Sequence, residues 1–141
     1  MKDFNHEDII NGTGGYVWLD MEEVAETLAF QAKDEYEKEE FRKVGSMVIY
    51  NKVTGIKRKG SLKMHHVDSM MIKKIATKIE KGEIPVFSIT SRLNGKGKSR
   101  EQVQLGGVIF DDLTIADWEA GENGTIEAPF TFETLQILST I

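Results

Sequence analysis

The sequence predicts a mainly β protein of the α+β class, an antiparallel β-sandwich or barrel with one flanking α-helix. About seven segments rich in β-branched and aromatic residues are separated by turn residues, which is typical of strands. A single segment has apolar residues at helical spacing. The length of 141 residues suits a single domain, residues 1–141, and the chain contains no cysteine for a disulfide framework.

The first part of the chain combines a clear strand with an ambiguous segment. A polar arm, residues 1–14, precedes the aromatic and β-branched strand Tyr16–Leu19. In residues 26–44 the abundance of Ala, Leu, Glu, Lys and Gln favours a helix, whereas the alternation over residues 28–33 favours a strand. The residues alone leave both structures open.

The next segment has the pattern of a hairpin. Residues 47–50 are apolar, and residues 53–55 and 57–60 look like its tip and its returning strand. Residues 51–63 contain no acid and five basic side chains: Lys52, Lys57, Arg58, Lys59 and Lys63. A solvated hairpin end explains such a run of charge, and so does a surface that binds an acidic partner.

The clearest helix covers residues 69–81. Its apolar residues form one stripe at helical spacing: Met71, Ile72, Ile75, Ala76 and Ile79. Asp68 suits the N-cap, because its carboxylate can accept a hydrogen bond from a free backbone N–H group. Gly82 suits the left-handed position that ends a helix. The stripe indicates core packing rather than a cofactor site.

The second half of the chain is predicted to consist of strands joined by turns. The predicted strands are residues 86–90, 101–105, 108–110, 113–118, 125–127 and 130–137. Gly106-Gly107 predicts a bulge or bend between two of them. Residues 121–124 include Asn-Gly, which is a strong hairpin signal.

The net charge of −5 hides an uneven distribution. Residues 1–100 carry all 18 Lys and Arg against 15 of the 23 acids, a balance of +3, and residues 101–141 carry the other eight acids. Strands that merely differ in charge explain this division. It is equally compatible with self-complementarity, in which one surface of a subunit binds the opposite surface of the next. Such contacts form rings when they close and filaments when they do not.

Composition and motifs argue against several classes of function. The net acidity disfavours tight nucleic-acid binding, which needs a basic surface. Gly97-Lys98-Ser99 resembles the end of a phosphate-binding loop, but the glycine required five residues earlier is replaced by Arg92. His65 and His66 would point to opposite faces of a strand, so we expect no shared metal.

The remaining features predict neither an enzyme nor a membrane protein. No segment approaches the ~20 apolar residues of a membrane span, so we expect no membrane anchor. Asp111-Asp112 is more typical of an acidic turn than of a cation site. We therefore predict no catalytic residue, no cofactor and no metal ligand. A small hydrolase or a ligand-binding barrel has no supporting motif.

Six segments, taken in order, carry a family resemblance. They are Gly-Tyr-Val-Trp-Leu-Asp at 15–20, Gly-Ser-Leu-Lys-Met at 60–64, Lys-Gly-Glu-Ile-Pro-Val-Phe at 81–87, Arg-Glu-Gln-Val-Gln-Leu at 100–105, Val-Ile-Phe-Asp at 108–111 and Pro-Phe-Thr-Phe-Glu at 129–133. In this order they resemble the tail tube proteins of contractile-tailed phages, PBSX-like prophage particles and R-type bacteriocins. The resemblance extends over nearly the whole chain.

The resemblance implies the phage tail tube fold and a structural role. In that family six copies form a ring whose inner sheets join into one β-barrel lumen, and rings stack around a tape-measure protein inside a contractile sheath. Baseplate and tail-terminator proteins are the other implied partners, and DNA passes without specific binding. The implied location is a virion tail or phage-like particle, assembled in the host cytoplasm. A ring-forming carrier protein of a related contractile injection system is the alternative.

The resemblance also implies which parts of the chain contact other subunits. An extended hairpin, residues 44–63 with a basic tip at 56–59, and the arm at 1–14 would reach neighbouring subunits and rings. It favours a strand over residues 25–33 and leaves residues 34–43 open. The predicted contact residues are Tyr50, Lys52, Ile56, Lys57, Arg58, Lys59, Lys63, Asp111, Asp112 and Glu119.

Overall fold

The computed structural model describes residues 14–24, 27–65, 70–95, 97, 99–112, 114–122 and 124–140. These residues form eight strands and one helix: β1 Gly15–Leu19, β2 Glu22–Glu23, β3 Thr27–Arg42, β4 Ile49–His65, α1 Met70–Glu80, β5 Phe87–Asn94, β6 Arg100–Phe110, β7 Thr125–Thr131 and β8 Thr134–Ser139. The mainly β architecture with one helix confirms the predicted fold class. Residues 1–13 of the predicted arm and the predicted N-cap Asp68 lie outside the described residues.

The strands form two antiparallel sheets that share β6. The first sheet has the order β2-β1-β5-β6-β8, and the second has the order β6-β7-β4-β3. β6 bends between them at the predicted bulge: Phe87 pairs with Val108 but Ile89 pairs with Leu105, so β6 carries one extra residue there. Gly107 has a φ of 65°, a conformation that favours glycine. In the described part of the chain the strand path stays open, so the fold is a sandwich.

The core between the sheets is apolar. Its buried side chains are Val17, Leu19, Val24, Leu62, Met64, Ile75, Phe87, Ile89, Leu105, Val108, Ile126, Ala128, Phe130 and Phe132. Phe130 lies at the centre of an aromatic cluster, with its ring 5.9 Å from Phe30 and 6.0 Å from Phe110. Phe110 in turn lies 5.7 Å from Phe87. The cluster therefore connects β3, β5, β6 and β7 across the sandwich.

The single helix of the described residues, α1, lies within the predicted range of 69–81 and buries Ile75 in the core. It ends in a Schellman motif, in which the N–H groups of two residues beyond the helix return to carbonyls of the last turn. Gly82 N–H donates to Ile79 O at 3.0 Å, and Glu83 N–H donates to Lys78 O at 2.9 Å. Gly82 has the φ of 75° that this motif requires, as its sequence position predicts.

The segment with helical composition is a strand. β3 pairs with β4 from Thr27 to Arg42, and its residues Phe30 and Ala32 pack against the core. Helix propensities differ by only ~0.7 kcal/mol per ordinary residue, so a full ladder of cross-strand pairs outweighs them. The strand expected over residues 25–33 thus continues through the region 34–43 that the sequence left open, although residues 25 and 26 lie outside the described chain.

The predicted position of the hairpin tip is wrong. Residues 56–59 lie in the middle of β4 and pair with residues 33–36 of β3. The turn is formed instead by residues 43–48, where Gly45 has a φ of 81°. The run of basic residues indicated a solvated tip because the acids that face it are distant in sequence, on the opposite strand.

The strand predicted over residues 113–118 is also wrong. Residues 114–119, which connect β6 to β7, have no regular secondary structure, and Ile115 and Trp118 are exposed. Alternating polarity does not form a strand without a partner to pair with. The Asn-Gly signal in residues 121–124 therefore does not join two paired strands, and residue 123 lies outside the described residues.

Candidate functional site

The β3–β4 hairpin consists of a base within the sandwich and an outer half that projects from it. In the base, Phe30 pairs with Leu62 and both contact the core. From the pair Tyr36–Ile56 outward to the turn, no residue of either strand is buried. The outer half therefore makes no contribution to the core of its own subunit.

The base of the hairpin carries a ladder of ion pairs on its solvent-facing side. Lys59 Nζ lies 2.9 Å and Lys33 Nζ lies 3.2 Å from the Glu35 carboxylate, and Lys57 Nζ lies 3.1 Å from Glu37. Lys59, and then Lys33, hold the pKa of Glu35 below its ordinary value of 4.5. The positive charge of this part of β4 is thus compensated within the hairpin.

Arg58 lies on the opposite, inward face of the hairpin. Its Nε atom lies 3.4 Å from Asp34 Oδ1, and its Nη1 atom donates to Glu133 O at 3.0 Å. Phe132 N–H donates back to Arg58 O at 3.2 Å. Arg58 therefore fastens the hairpin to the β7–β8 turn, and its charge faces the interior edge of the sandwich.

Residues 41–53, which we call the hairpin tip, are basic and apolar. They contain three basic residues, Arg42, Lys43 and Lys52, and no acid. Their exposed large apolar side chains are Phe41, Val44, Met47, Val48, Ile49 and Val53. The rings of Phe41 and Tyr50 stack at 5.6 Å, and Lys43 Nζ lies 4.7 Å from the Tyr50 ring. These contacts give the tip an ordered aromatic face.

Residues 111–112 and 114–122, which we call the acidic loop, form a second exposed surface. They contain five acids, Asp111, Asp112, Asp117, Glu119 and Glu122, and no Lys or Arg. Trp118 is 84% exposed and Ile115 is 73% exposed. Asp111 N–H donates to Pro129 O at 2.9 Å, and Glu122 N–H donates to Glu119 O at 3.2 Å, which anchors the start and the end of the loop.

A groove of about 830 Å³ lies on the open side of the sandwich, between β3 and the first sheet. Its apolar lining includes Phe30, Leu93, Val103, Phe132, Leu135 and Ile137. In the described residues β3 pairs only with β4, and β8 pairs only with β6, so both strands have a free edge. Free edges with exposed apolar side chains are templates for pairing with another chain.

The structure contains one arrangement that the sequence did not predict. On the outer face of the first sheet the guanidinium of Arg92 lies 5.1 Å from the ring of Tyr16 and 5.0 Å from that of Trp18. The two rings stack at 6.1 Å. Arg92 Nε is buried and has no hydrogen-bond partner among the described residues. The spacing of Tyr16 and Trp18 signals a shared face, but the register that adds Arg92 is a long-range property.

The predicted contact residues lie on two elements at the second sheet. Tyr50, Lys52, Ile56, Lys57, Arg58, Lys59 and Lys63 all lie on β4. Asp111, Asp112 and Glu119 lie on the acidic loop, which starts beside Pro129, the partner of Ser61, and leads into β7 at Thr125, the partner of His65. The loop therefore lies at the Lys63 end of β4, whereas Tyr50 and Lys52 lie toward the other end of that strand.

The described residues contain no chemical centre of another kind. Among them no three His, Asp or Glu side chains cluster closely enough to hold a metal ion. The helix in this part of the chain is neither long nor apolar enough to span a membrane.

Comparison with known proteins identifies the family. The family model described as "Phage tail tube protein" matches residues 2–139. The chain belongs to the phage tail tube protein family. As a tail tube protein it is a structural protein, in agreement with the resemblance found in the sequence. It is similar to the "Phage-like element PBSX protein XkdM" of Bacillus subtilis (strain 168), with 32% identity over 137 residues, 93% of this chain and 91% of that protein.

Solved structures of low sequence identity share the fold. A chain of the sheath–tube complex of an extracellular contractile injection system (PVC) in its extended state has a TM-score of 0.73 and 12% identity, covering 96% of the tail tube protein and 95% of that chain. A chain of the anti-feeding prophage tube-terminating cap has a TM-score of 0.72 and 15% identity, covering 99% and 97%. These two chains of low identity therefore share the open sandwich fold of the tail tube protein.

Proposed function

We propose that six copies of this tail tube protein form a ring and that the rings stack into the inner tube of a contractile tail. Membership of the family supports the tube. The observation that supports assembly into rings and tubes is the outer half of the β3–β4 hairpin. It projects from the sandwich, its apolar side chains are exposed, and none of them belongs to the core. An apolar surface of this kind on a soluble domain marks a site of protein contact.

The free strand edges support closure of the ring. Among the described residues β3 is the edge strand of the second sheet and β8 is an edge strand of the first, so each has one side whose N–H and C=O groups pair with no strand. Pairing of such edges between copies removes the exposed hydrogen-bonding groups. In this proposal the sheets of the six subunits join edge to edge around a common lumen.

The proposed tube is a passive conduit. Six copies with a charge of −5 give a ring of −30, which disfavours adhesion of DNA because phosphate contacts with basic residues are what hold DNA to proteins. The tube lies around a tape-measure protein and inside the sheath, and it ends at baseplate and tail-terminator proteins. It assembles in the host cytoplasm and becomes part of a virion tail or phage-like particle.

The proposed subunit contacts include two groups of exposed residues. Tyr50, Lys52 and Ile56 represent the hairpin, and Asp111, Asp112 and Glu119 represent the acidic loop. Lys57 and Lys59 already face acids of β3, and Arg58 faces Asp34. We therefore assign Lys57, Arg58 and Lys59 primarily to holding the hairpin in its extended form, with Lys63 opposite Glu127 of β7.

Electron microscopy of the purified protein tests the proposal. We expect six-membered rings in negative stain and stacked tubes as the protein concentration rises. Analytical ultracentrifugation over the same concentration range measures the same assembly in solution. A protein that stays monomeric at high concentration, without rings or tubes, contradicts the proposal. A cryo-EM map of the tube with a bore lined by Lys and Arg contradicts the conduit mechanism alone.

A ring-forming carrier of a contractile injection system is the second candidate. It is supported by the likeness in fold to a chain of the sheath–tube complex of an extracellular contractile injection system. A carrier acts as a free ring, whereas a tail tube protein polymerises. Rings that never stack, even in the presence of sheath protein, therefore favour the carrier, and tubes favour the tail.

A further inference from the structure

We infer that the hairpin tip of one subunit binds the acidic loop of the next subunit, in a head-to-tail contact that stacks copies along the tube. This inference rests on the proposed function and deepens it, because it names the two surfaces that meet. The partner of the acidic loop is a second copy of this chain.

The two surfaces are complementary in charge. The hairpin tip carries Arg42, Lys43 and Lys52 without an acid, and the acidic loop carries five acids without a base. Arg42, Lys43 and Lys52 are exposed, as are Asp117, Glu119 and Glu122 in the loop. Complementary charge across an interface speeds encounter and fixes register more than it adds affinity.

The two surfaces are also complementary in apolar content. Val44 and Met47 at the turn are almost completely exposed, and Trp118 is 84% exposed within the loop. Tryptophan in the middle of an interface is among the residues that contribute most to binding. Trp118 therefore supplies an anchor, and the apolar turn of the hairpin supplies the surface that covers it.

The geometry of the second sheet prevents contact between the two surfaces within one chain. The acidic loop starts at Asp111, whose N–H donates to Pro129 O, and ends at Thr125; the β4 partners of Pro129 and Thr125 are Ser61 and His65. The hairpin tip reaches only to Val53, so 8 to 12 residues of β4, about 26–40 Å of extended strand, lie between the two surfaces. Because the acidic loop of a subunit does not reach the hairpin tip of the same subunit, the contact forms between copies.

A contact between different surfaces at opposite ends has a further consequence. Each copy retains a free tip at one end and a free loop at the other after binding, so the interaction repeats without closing. This is the property that stacking of rings needs. The contact also joins the two differently charged parts of the sequence, because the tip lies in residues 1–100 and the loop lies in the purely acidic residues 101–141.

Charge exchange tests the inference. The tip is reversed with Arg42→Glu and Lys43→Glu, and the loop is reversed with Asp117→Lys and Glu119→Lys. We expect each reversal alone to raise the protein concentration needed for stacked tubes by about tenfold while rings persist. A chain that carries all four substitutions should recover most of this loss. Trp118→Ala should raise the same concentration without a change of charge.

Matched controls lie on the exposed end of α1. Glu80→Lys with Glu83→Lys reverses two exposed acids elsewhere, and Ile84→Ala truncates an apolar side chain that is 75% exposed. We expect both to leave tube formation unchanged. Circular dichroism checks that every variant keeps its fold. Tubes that form normally in both reversed variants, or a four-substitution chain that does not recover, overturn the inference.

Cross-linking gives a readout that does not depend on tubes. The chain has no cysteine, so Val44→Cys in one copy and Ala120→Cys in a second, tagged copy place one thiol on each surface. A short bismaleimide linker should join the mixed copies, and should join Val44→Cys to Ile84→Cys much less. Selective cross-linking without any tube supports the contact and contradicts the proposed function. Tubes without selective cross-linking contradict the contact alone.

Discussion

Gly60 of β4 lies directly beneath the ring of Phe130 on β7. A Cβ atom at position 60 would lie 2.7 Å from Phe130 Cζ, and it would also collide with the backbone carbonyl of Gln31 on β3. The three strands approach this closely because position 60 has no side chain. The absence of one Cβ atom therefore lets the central ring of the aromatic cluster sit between β3 and β6.

Gly60→Ala should destabilise the fold. Overpacking of a close contact costs about 1–3 kcal/mol, and here both the ring and a backbone atom must move. Urea denaturation followed by circular dichroism measures the change in the free energy of unfolding. Gly55→Ala is the matched control on the same strand, because its Cβ would meet only the flexible carboxylate of Glu37. Equal stability of the two variants would contradict the packing described.

Asp20→Ala should also lower stability. Asp20 Oδ1 accepts hydrogen bonds from Ser88 N–H at 2.8 Å and from Ser88 Oγ at 3.3 Å, and Asp20 has a φ of 49°. Removal of the acceptor leaves a partly buried N–H group unpaired, which costs about 1–3 kcal/mol. Asp20→Asn keeps an oxygen acceptor and tolerates the left-handed conformation, so it should cost less. Thermal unfolding separates the variants, and equal losses would show that the acceptor is unimportant.

The sequence predicts those parts of the fold whose signals are local. The helix α1, its end at Gly82 and the bulge at Gly106-Gly107 are each defined by a few adjacent residues, and the structure has them. Of the apolar stripe predicted for α1, Ile75 is buried in the core, whereas Ile79 is 57% exposed. β3 is different, because its composition favours a helix and it forms a strand only through pairing with β4. Residues 114–119 show the converse, because their alternation predicts a strand that finds no partner among the described residues.

The candidate surfaces depend even more on long-range pairing. Lys57 and Lys59 form a run of positive charge in the sequence, and only the register of β3 places Glu35 and Glu37 beside them. The true turn at Gly45 has a short local signal, a glycine followed by a serine, next to the segment whose composition favours a helix. The position of Trp118 on an exposed loop required the structure.

The pKa of Glu35 gives a prediction on pH. Lys59 and Lys33 lower this pKa in the folded chain, so the pairs stabilise the hairpin above the unfolded value of about 4.5. Their contribution is lost as the pH falls through the lower, folded pKa. We expect NMR titration of the Glu35 carboxyl to give a value below 4.5 that rises in Lys59→Ala. A Glu35 pKa at or above 4.5 in the native protein would exclude the ion pairs.

Arg58 and Asp34 should show stronger coupling than the other ion pairs of the hairpin. Their side chains are 30% and 22% exposed, and Arg58 also donates to Glu133 O, whereas Lys57 and Glu37 are 67% and 53% exposed. A double-mutant cycle with Arg58→Ala and Asp34→Ala should give a coupling of about 1–2 kcal/mol, because the less exposed side chains of this pair are less screened by water and removal of Arg58 leaves the buried Asp34 Oδ1 without its 3.4 Å ion pair. The cycle with Lys57→Ala and Glu37→Ala is the control and should give less than about 0.5 kcal/mol. Equal couplings would mean that Arg58 does not fasten the hairpin.

Hydrogen exchange of Phe132 N–H, which donates to Arg58 O, reports the same contact. The protection of this N–H group should fall in Arg58→Ala but not in Lys57→Ala.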